Sequence, residues 1–293
     1  MTNTTSSAPE ITHFFEPDSN TFAYVVTDPD TKKCAIIDSF LDFDYASGTI
    51  RYDGADDIIR FISEHELTVE WIIETHVHAD HLSAAPYLQA RVGGKLGIGE
   101  QISVVQEVFG QVFNEGTEFR RDGSQFDHLF TDGEHYKVGN LDAVAIHTPG
   151  HTPACFTHVI GDAAFVGDTL FMPDAGTARA DFPGGSASTL FDSVNRILEL
   201  PDDTRIFMCH DYGPNGRELK YQTSVAEQKQ ANIHVKKGTT KETFVQLREA
   251  RDATLAMPRL ILPSLQVNMH AGKLPKAENN GTSYLKIPLN AFK

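Results

Sequence analysis

The side chains with the clearest capacity for chemistry lie in one short segment, which begins at His76 and ends at His81. It reads H-x-H-x-D-H, so three histidines and one aspartate fall within six residues. Imidazole nitrogens and carboxylate oxygens are ligands that divalent transition metals prefer in proteins. The preceding residues, 69–75, are mostly apolar and β-branched, which indicates a short buried strand. The pattern therefore predicts a metal site in the loop that follows this strand.

Three further residues repeat this placement later in the chain. His151 follows a Pro-Gly turn, and Asp168 comes shortly after the apolar run 163–166. His210 follows the predicted strand 205–209. A single His or Asp at a strand end is often only a cap or a turn residue, but functional side chains also gather at strand ends over a rigid sheet. The shared placement favours one common site.

As a set, these residues resemble the metallo-β-lactamase superfamily in ligand type and order. The resemblance spans about residues 12–215 and implies an α/β (α+β) fold, a metallo-β-lactamase-like αββα sandwich with its metal at one edge of the sheets. The matching positions are His76, His78, Asp80, His81, His151, Asp168 and His210.

Within that superfamily, the chain resembles the persulfide dioxygenases, also called sulfur dioxygenases. Ala79 stands where the related glutathione thioesterases usually carry Trp. Residues 209–212 read C-H-D-Y, close to the A-H-D-Y of the dioxygenases, and residues 176–182 resemble their G-x-x-R-x-D-F segment. The chain beyond Ser224 is similar to a longer branch of that family.

The resemblance implies a mononuclear Fe(II) cofactor held by His76, His151 and Asp168. Two imidazoles and one carboxylate on one face of iron leave neighbouring positions open, as an oxygenase needs for a sulfur ligand and O₂. The remaining positions would then orient or polarise the site without binding a second metal. These positions are His78, Asp80, His81 and His210.

The implied reaction is the oxidation of glutathione persulfide by O₂ and water to glutathione and sulfite. Tyr212 is predicted to be catalytic and to hydrogen-bond the substrate, the alternative being a tyrosine that packs below its strand. Arg217 and Lys220 are predicted to bind the carboxylates of the substrate, because a negatively charged chain needs local cations there. The alternative for both is a solvated surface cation, and Arg179 is equally compatible with an ion pair to Asp181.

The same ligand positions are also compatible with a hydrolase. With all seven present, two zinc ions can be accommodated, which gives the alternative of a dizinc hydroxyacylglutathione-type thioester hydrolase. A third interpretation, a non-catalytic metal-binding or redox-sensing module, is disfavoured because the sequence has no flavin-binding or rubredoxin-like cysteine segment. The flanking residues favour the dioxygenase, and the ligands themselves do not distinguish it from the hydrolase.

The elements that must position these residues are strands and helices mixed in two runs, which indicates a layered α/β or α+β domain. Two helices are predicted late in the chain, over residues 225–233 and 240–255, the second with a capping box that begins at Thr239. The predicted domains are a disordered tail (1–10), a metallo-β-lactamase-like domain (11–223) and a C-terminal helical extension packed on the same domain (224–293).

Composition excludes several other classes of protein. The 293 residues carry a formal net charge of −15, which argues against nucleic acid and anionic membranes as partners. Three cysteines give no disulfide framework and no metal-binding Cys pair, which favours a reducing compartment. With no signal-peptide pattern and no long apolar run, a cytoplasmic location is predicted. The predicted partners are a small thiol substrate and O₂, and a homo-oligomer is left open.

Overall fold

The computed structural model describes residues 8–291, which contain fourteen β-strands and seven α-helices. The strands are β1 (Glu10–Glu16), β2 (Thr21–Asp28), β3 (Lys33–Ile37), β4 (Asp42–Asp44), β5 (Thr49–Arg51), β6 (Thr68–Ile73), β7 (Lys95–Gly99), β8 (His128–Phe130), β9 (Glu134–Val138), β10 (Leu141–His147), β11 (Phe156–Ile160), β12 (Ala163–Phe165), β13 (Arg205–Phe207) and β14 (Gln222–Ser224). The helices are α1 (Asp53–Glu64), α2 (Ala85–Val92), α3 (Ile102–Val112), α4 (Ala187–Leu198), α5 (Val225–Ala231), α6 (Lys241–Asp252) and α7 (Ile261–Asn268).

Twelve of the strands form two six-stranded mixed sheets. The first has the order β1-β2-β3-β6-β7-β8 and is antiparallel at the β1 edge and parallel from β3 onwards. The second has the order β14-β13-β12-β11-β10-β9, with one parallel pair, β12 and β13. Strands β4 and β5 form a separate hairpin. The parallel pairs place the carboxyl ends of several strands at a common edge, where the predicted ligands follow.

Strand β2 shows why the sheets stack. Successive side chains of a strand point to opposite faces, and every residue of β2 is buried. Phe22, Tyr24 and Val26 enter the core between the two sheets, while Ala23 and Val25 face the helices on the other side. A strand with apolar side chains on both faces is stable only when other elements pack against both faces. This sheet is therefore an inner layer of the fold.

Helices cover the outer faces of both sheets. Helices α1, α2 and α3 bury their apolar sides against the first sheet, and α4 packs on the second together with α5 and α6. The layer order helix–sheet–sheet–helix confirms the predicted αββα sandwich.

The C-terminal segment divides between the two helical layers. In α6, Phe244 stacks near Phe191 of α4, with ring centroids 5.4 Å apart, whereas Leu265 of α7 joins the core beneath the first sheet. The domain division stays a prediction: residues 1–7 of the predicted tail lie outside the described range, and β1 begins at Glu10. None of the helices in residues 8–291 combines the length and the apolar character that crossing a bilayer requires.

Candidate metal centre

The three predicted metal ligands and the four positions predicted to orient or polarise the site all lie beyond the ends of strands, at one edge of the sandwich. The segment 76–83, called here the metal loop, follows β6 of the first sheet. His151, Asp168 and His210 follow β10, β12 and β13 of the second sheet. Backbone hydrogen bonds join the sheets at this edge, from Phe156 N to the carbonyl of Thr75 (2.9 Å) among others. The predicted convergence of these segments is therefore observed.

One group of ligands comprises His76, His151 and Asp168. The Oδ2 atom of Asp168 lies 4.0 Å from Nε2 of His76 and 3.7 Å from Nε2 of His151, and all three residues are buried. The Nδ1 atom of His151 is 2.8 Å from the carbonyl oxygen of Arg179. Because a carbonyl can only accept, Nδ1 carries the proton, and Nε2 presents its lone pair to the site.

A second group lies on the other side of Asp168. Nε2 of His210 is 3.3 Å from Oδ1 of Asp168 and 3.2 Å from Oδ2 of Asp80. His81 completes this side, with Nδ1 3.4 Å from Oδ2 of Asp80. The two oxygens of Asp168 thus face two different sets of imidazoles.

Five buried polar atoms of the seven residues make no hydrogen bond of suitable geometry in the described structure, although Nε2 of His210 and Oδ1 of Asp168 lie close to each other. A buried polar atom without a partner costs about 1–3 kcal/mol, so a cluster of them at one point calls for a bound group. A cation with nitrogen and oxygen ligands fits this donor set, and the cluster is a metal-binding site. The atoms are Nε2 of His76, Nδ1 of His78, Nε2 of His81, Oδ1 of Asp168 and Nε2 of His210.

The electrostatics agree with that assignment. Burial lowers the pKa of His76 well below 6.5, so its imidazole is neutral, as a metal ligand must be. Burial also acts to lower the pKa of His210, but Asp80 and Asp168 outweigh it and raise the pKa overall. Although burial opposes it, His210 and His81 hold the pKa of Asp80 well below its usual range. The site thus stabilises positive charge between its carboxylates.

One glycine lets the two sheets approach closely enough to bring Asp168 to His76. Gly167 has φ +51°, and a Cβ atom there would lie 2.5 Å from Oγ1 of Thr75. Only glycine adopts this conformation without strain and leaves room for the threonine. Asp168 follows directly in a short 3₁₀ turn.

Two buried acids that support the metal loop were missed by sequence reasoning. Nε2 of His78 lies 3.1 Å from Oδ1 of Asp38 and 3.1 Å from Oε2 of Glu74. Ser39 and Ser83 donate hydrogen bonds to Oε1 of Glu74. These contacts orient the His78 ring so that Nδ1 faces away from the carboxylates. The available signal was that each acid directly follows a buried strand, β3 or β6.

A cavity of about 670 Å³ opens beside the metal ligands. Its lining includes Asp80, His151 and Asp168 and also several residues between 233 and 260, called here the C-terminal wall. In the described structure the guanidinium groups of Arg251 and Arg259 are exposed and form no ion pair. The other two arginines of the lining are engaged, Arg179 with Asp181 and Arg248 with Asp252. Sequence reasoning did not single out Arg251 or Arg259.

Tyr212 lines the same cavity. Its ring lies parallel to the ring of His210, with centroids 6.0 Å apart, and is 56% exposed. The partial burial of the ring, together with Asp168 and Asp80, raises the pKa of Tyr212, so its hydroxyl stays protonated and can donate a hydrogen bond. The catalytic role stays a prediction.

The two predicted substrate-binding cations lie elsewhere. Arg217 directs Nε and both terminal nitrogens at Asp174 and Asp211, and these pairs raise the pKa of the guanidinium. Lys220 donates its backbone N–H to Asp211 and is exposed. Neither lines the cavity. This placement favours a structural role for Arg217, and substrate binding by either residue stays a prediction.

The family of the chain follows from its comparison with known proteins. The model of the metallo-beta-lactamase superfamily matches residues 17–210, which include all seven ligand positions. The chain belongs to this superfamily. In this family member the matched region ends at His210, so the segment that supplies α5, α6 and α7 lies outside it.

Several relatives match almost the whole chain. A "Probable metallo-hydrolase" of Burkholderia pseudomallei is 53% identical over 95% of this chain and 98% of the relative. "Glyoxylase B2" of Dictyostelium discoideum is 49% identical over 98% of this chain and 99% of the relative. A "Beta-lactamase hydrolase-like protein" of Xylella fastidiosa is 53% identical over 97% of this chain, but this chain spans only 65% of that relative.

The resemblance to persulfide dioxygenases is present but more distant. The human mitochondrial persulfide dioxygenase ETHE1 is 31% identical over 68% of this chain and 66% of its own length. The crystal structure of ETHE1 from Myxococcus xanthus has a TM-score of 0.72 and 28% identity, and it covers 90% of this chain and 100% of its own. The predicted family resemblance is therefore confirmed.

The predicted activity is wrong by the same comparisons. Relatives at about half identity carry hydrolase and glyoxylase names, whereas the dioxygenase is only 31% identical. The prediction of an iron-dependent oxidoreductase that consumes O₂ is corrected accordingly, and of the predicted mononuclear Fe(II) only a metal-binding site is retained.

In the structure, the residues that favoured the dioxygenase do not distinguish it from a hydrolase. Three sequence features favoured the dioxygenase: Ala79, the C-H-D-Y segment and the G-x-x-R-x-D-F segment. In two of them the charged residues form ion pairs, Asp211 with Arg217 and Arg179 with Asp181. Such pairs shape the surrounding backbone and are compatible with either chemistry. The third feature, Ala79, lines the cavity with a side chain that can neither donate nor accept a proton.

Proposed function

We propose that this chain is a metal-dependent hydrolase that cleaves thioesters of glutathione, of the hydroxyacylglutathione type, with two divalent metal ions. The observation that carries the proposal is the position of Asp168. Its Oδ2 faces His76 and His151, and its Oδ1 faces His210. A carboxylate between two sets of imidazoles fits a site that would hold two divalent ions for hydrolysis. The metallo-hydrolase and glyoxylase names of relatives at about half identity support the proposal.

The residues present fit zinc, which prefers imidazole nitrogen and carboxylate oxygen. His76, His78 and His151 would hold one ion, Asp80, His81 and His210 the other, and Asp168 both. When bound, such ions lower the pKa of a water molecule to about 7 and polarise a carbonyl group. The reaction is thioester plus water to carboxylic acid plus thiol.

The protein has no thiol suited to act as the nucleophile at this site. Cys155 and Cys209 are buried, and burial raises the pKa of Cys155 to about 12 and that of Cys209 well above its usual value. Both therefore stay protonated and unreactive near neutral pH. Water attack needs no covalent intermediate, and we assign the hydroxyl of Tyr212, which lines the cavity, to a hydrogen bond with the substrate.

The cavity suits a small anionic substrate. A volume of about 670 Å³ is typical of ligand sites, and glutathione carries two carboxylates. Arg251 and Arg259, which form no ion pair within the described residues, line the same cavity as Asp80, His151 and Asp168. We therefore assign them to the carboxylates of the substrate, in preference to Arg217 and Lys220. The cytoplasmic location and the absence of nucleic-acid partners stay predictions from the sequence.

The test is hydrolysis by the zinc-reconstituted full chain. We expect two zinc ions per chain, release of free thiol from a hydroxyacyl-glutathione thioester, and equal rates in air and under argon. A chelator should abolish the activity, and the same acyl group on an uncharged thiol should be a poorer substrate. Failure of the fully metal-loaded chain to cleave the thioester, or O₂ uptake with glutathione persulfide, would overturn the proposal.

A further inference from the structure

A side chain from the last helix is bonded directly to the metal loop. Asn268, at the end of α7, donates from Nδ2 to the carbonyl oxygens of His78 (2.9 Å) and His81 (2.8 Å). Its Oδ1 accepts the backbone N–H of Ser83 at 2.8 Å. Three of the hydrogen bonds of the loop backbone thus end on one amide, which is 5% exposed.

These contacts are specific to an amide side chain. Two bonds need donors and the third needs an acceptor, and only Asn or Gln offers both from adjacent atoms. The residues contacted include two histidines of the metal-binding cluster. On the opposite side, the same loop is held by Glu74, which accepts the hydroxyl of Ser83 at 2.7 Å. The loop backbone is therefore fixed between the sheet and α7.

Asn268 lies outside the part of the chain that matches the superfamily model. The superfamily model matches residues 17–210 and thus ends far before α7. Helix α7 is anchored independently, because Leu265 and Val267 are buried in the core that α1, α2 and α3 share with the first sheet. The amide is consequently presented from a rigid support that does not belong to the metal loop.

We propose that Asn268 is a positioning residue of the metal centre, through which the C-terminal segment sets the geometry of the His78 and His81 ligands. It acts on the ligands through their backbone and does not touch the metal itself. Groups that orient metal ligands typically change metal affinity by about 10–100-fold when altered. Loss of this amide should therefore weaken metal binding more than it weakens the fold.

The experiment compares Asn268→Asp with Gln266→Ala in the full chain. Asn268→Asp keeps the shape and the acceptor but replaces the donor to two carbonyls with a negative oxygen. Gln266 is the matched control, since it lies on the same helix and also makes several hydrogen bonds, two of them with the backbone of Lys286. Its contacts do not involve the metal loop.

The readout is zinc affinity, measured by competition with a chromogenic chelator, beside the melting temperature of the metal-free proteins. We expect Asn268→Asp to weaken zinc binding about 10–100-fold, and Gln266→Ala to leave it within about twofold at a similar loss of melting temperature. Unchanged zinc affinity in Asn268→Asp, or an equal loss in both variants, would overturn the proposal.

A measurement on the unaltered protein covers the case in which Asn268→Asp does not fold. Amide hydrogen exchange of Ser83 should be as slow as that of Met269, whose N–H is bonded within α7, because both would open only when the helix detaches. Rapid amide exchange at Ser83, in a protein whose Met269 amide exchanges slowly, would contradict the proposal that Asn268 holds the metal loop. Both readouts use zinc or solvent alone, so they are independent of whether the chain hydrolyses a thioester.

Discussion

The metal loop and the C-terminal wall line the same cavity, but their side chains have different hydrogen-bond and ion-pair partners. The histidines of the loop are almost completely buried, and their rings or carbonyls are bonded to Asp38, Glu74 and Asn268. On the wall, Arg251 and Arg259 are exposed and without ion pairs in the described structure. The first arrangement holds the proposed metal ligands in place, and the second leaves two positive charges that we propose bind the substrate.

This difference reflects how accurately each kind of group must be positioned before its ligand binds. Metal ligands need geometry accurate to a fraction of an ångström, so each is supported by further contacts. Charges that recognise a carboxylate tolerate more freedom, because solvent and side-chain rotation let them adapt. The following predictions test that contrast, beginning with the largest expected effect.

Asp168→Asn should have the largest effect, because this carboxylate faces both groups of ligands. We expect metal content to fall from two ions per chain to near zero, with kcat/KM reduced by more than about 100-fold, beyond the loss typical of groups that only orient ligands. Elemental analysis and thioester hydrolysis measure this. His81→Ala should instead retain about one ion per chain. Equal metal loss in both variants would contradict the assignment of Asp168 as the ligand that both ions share.

His158 tests the effect of burial on the pKa of a histidine that lies outside the metal-binding cluster. This imidazole is fully buried between the sheets, with Nδ1 2.9 Å from the hydroxyl oxygen of Tyr136, and burial lowers its pKa to about 4. The unfolded chain therefore binds more protons than the folded one between about pH 6.5 and 4, and stability falls as the pH is lowered through that window.

The check is the pH dependence of urea unfolding in metal-free protein. Between pH 7 and pH 4, the unaltered chain should lose on the order of 3 kcal/mol more of its free energy of unfolding than His158→Asn. The variant keeps an acceptor for Tyr136 but no ionisable ring. Parallel curves for the two proteins would show that His158 does not titrate as a buried base.

Arg251→Gln and Arg259→Gln test the free charges of the C-terminal wall. A charge-assisted hydrogen bond contributes about 1.5–3 kcal/mol, and solvent exposure reduces this, so we expect KM to rise about tenfold in each with little change in kcat. The matched control is Lys220→Gln, which removes the same charge outside the cavity. An equal rise of KM in Lys220→Gln would restore the original prediction that Lys220 binds substrate.

Tyr212→Phe should have the smallest effect. Loss of one neutral hydrogen bond corresponds to about 0.5–1.5 kcal/mol, so kcat should fall about fivefold. The melting temperature should not change, because the ring is 56% exposed. Tyr45→Phe, which alters another exposed tyrosine outside the cavity, serves as the control. An unchanged kcat in Tyr212→Phe would assign the tyrosine to the cavity lining alone.

Local patterns predicted most of the helices and strands that carry the site. The strand predicted over residues 69–75 is observed at Thr68–Ile73. The helices predicted over 225–233 and 240–255 are observed at Val225–Ala231 and Lys241–Asp252. The predicted capping box at Thr239 is wrong by one residue, since Thr240 accepts the N–H of Thr243. Helix α7 was not predicted, because its apolar residues surround Pro263 and show little amphipathic period.

Residue type and short spacing predicted the fold class, which the structure confirms, and a metal site where the His and Asp positions converge. The surroundings of that site could be read only from the tertiary structure. It paired Arg217 with two acids, left Arg251 and Arg259 free at the cavity, and brought Asn268 to a loop about 190 residues earlier in the chain. Such contacts depend on which surfaces pack together, and no local pattern encodes that.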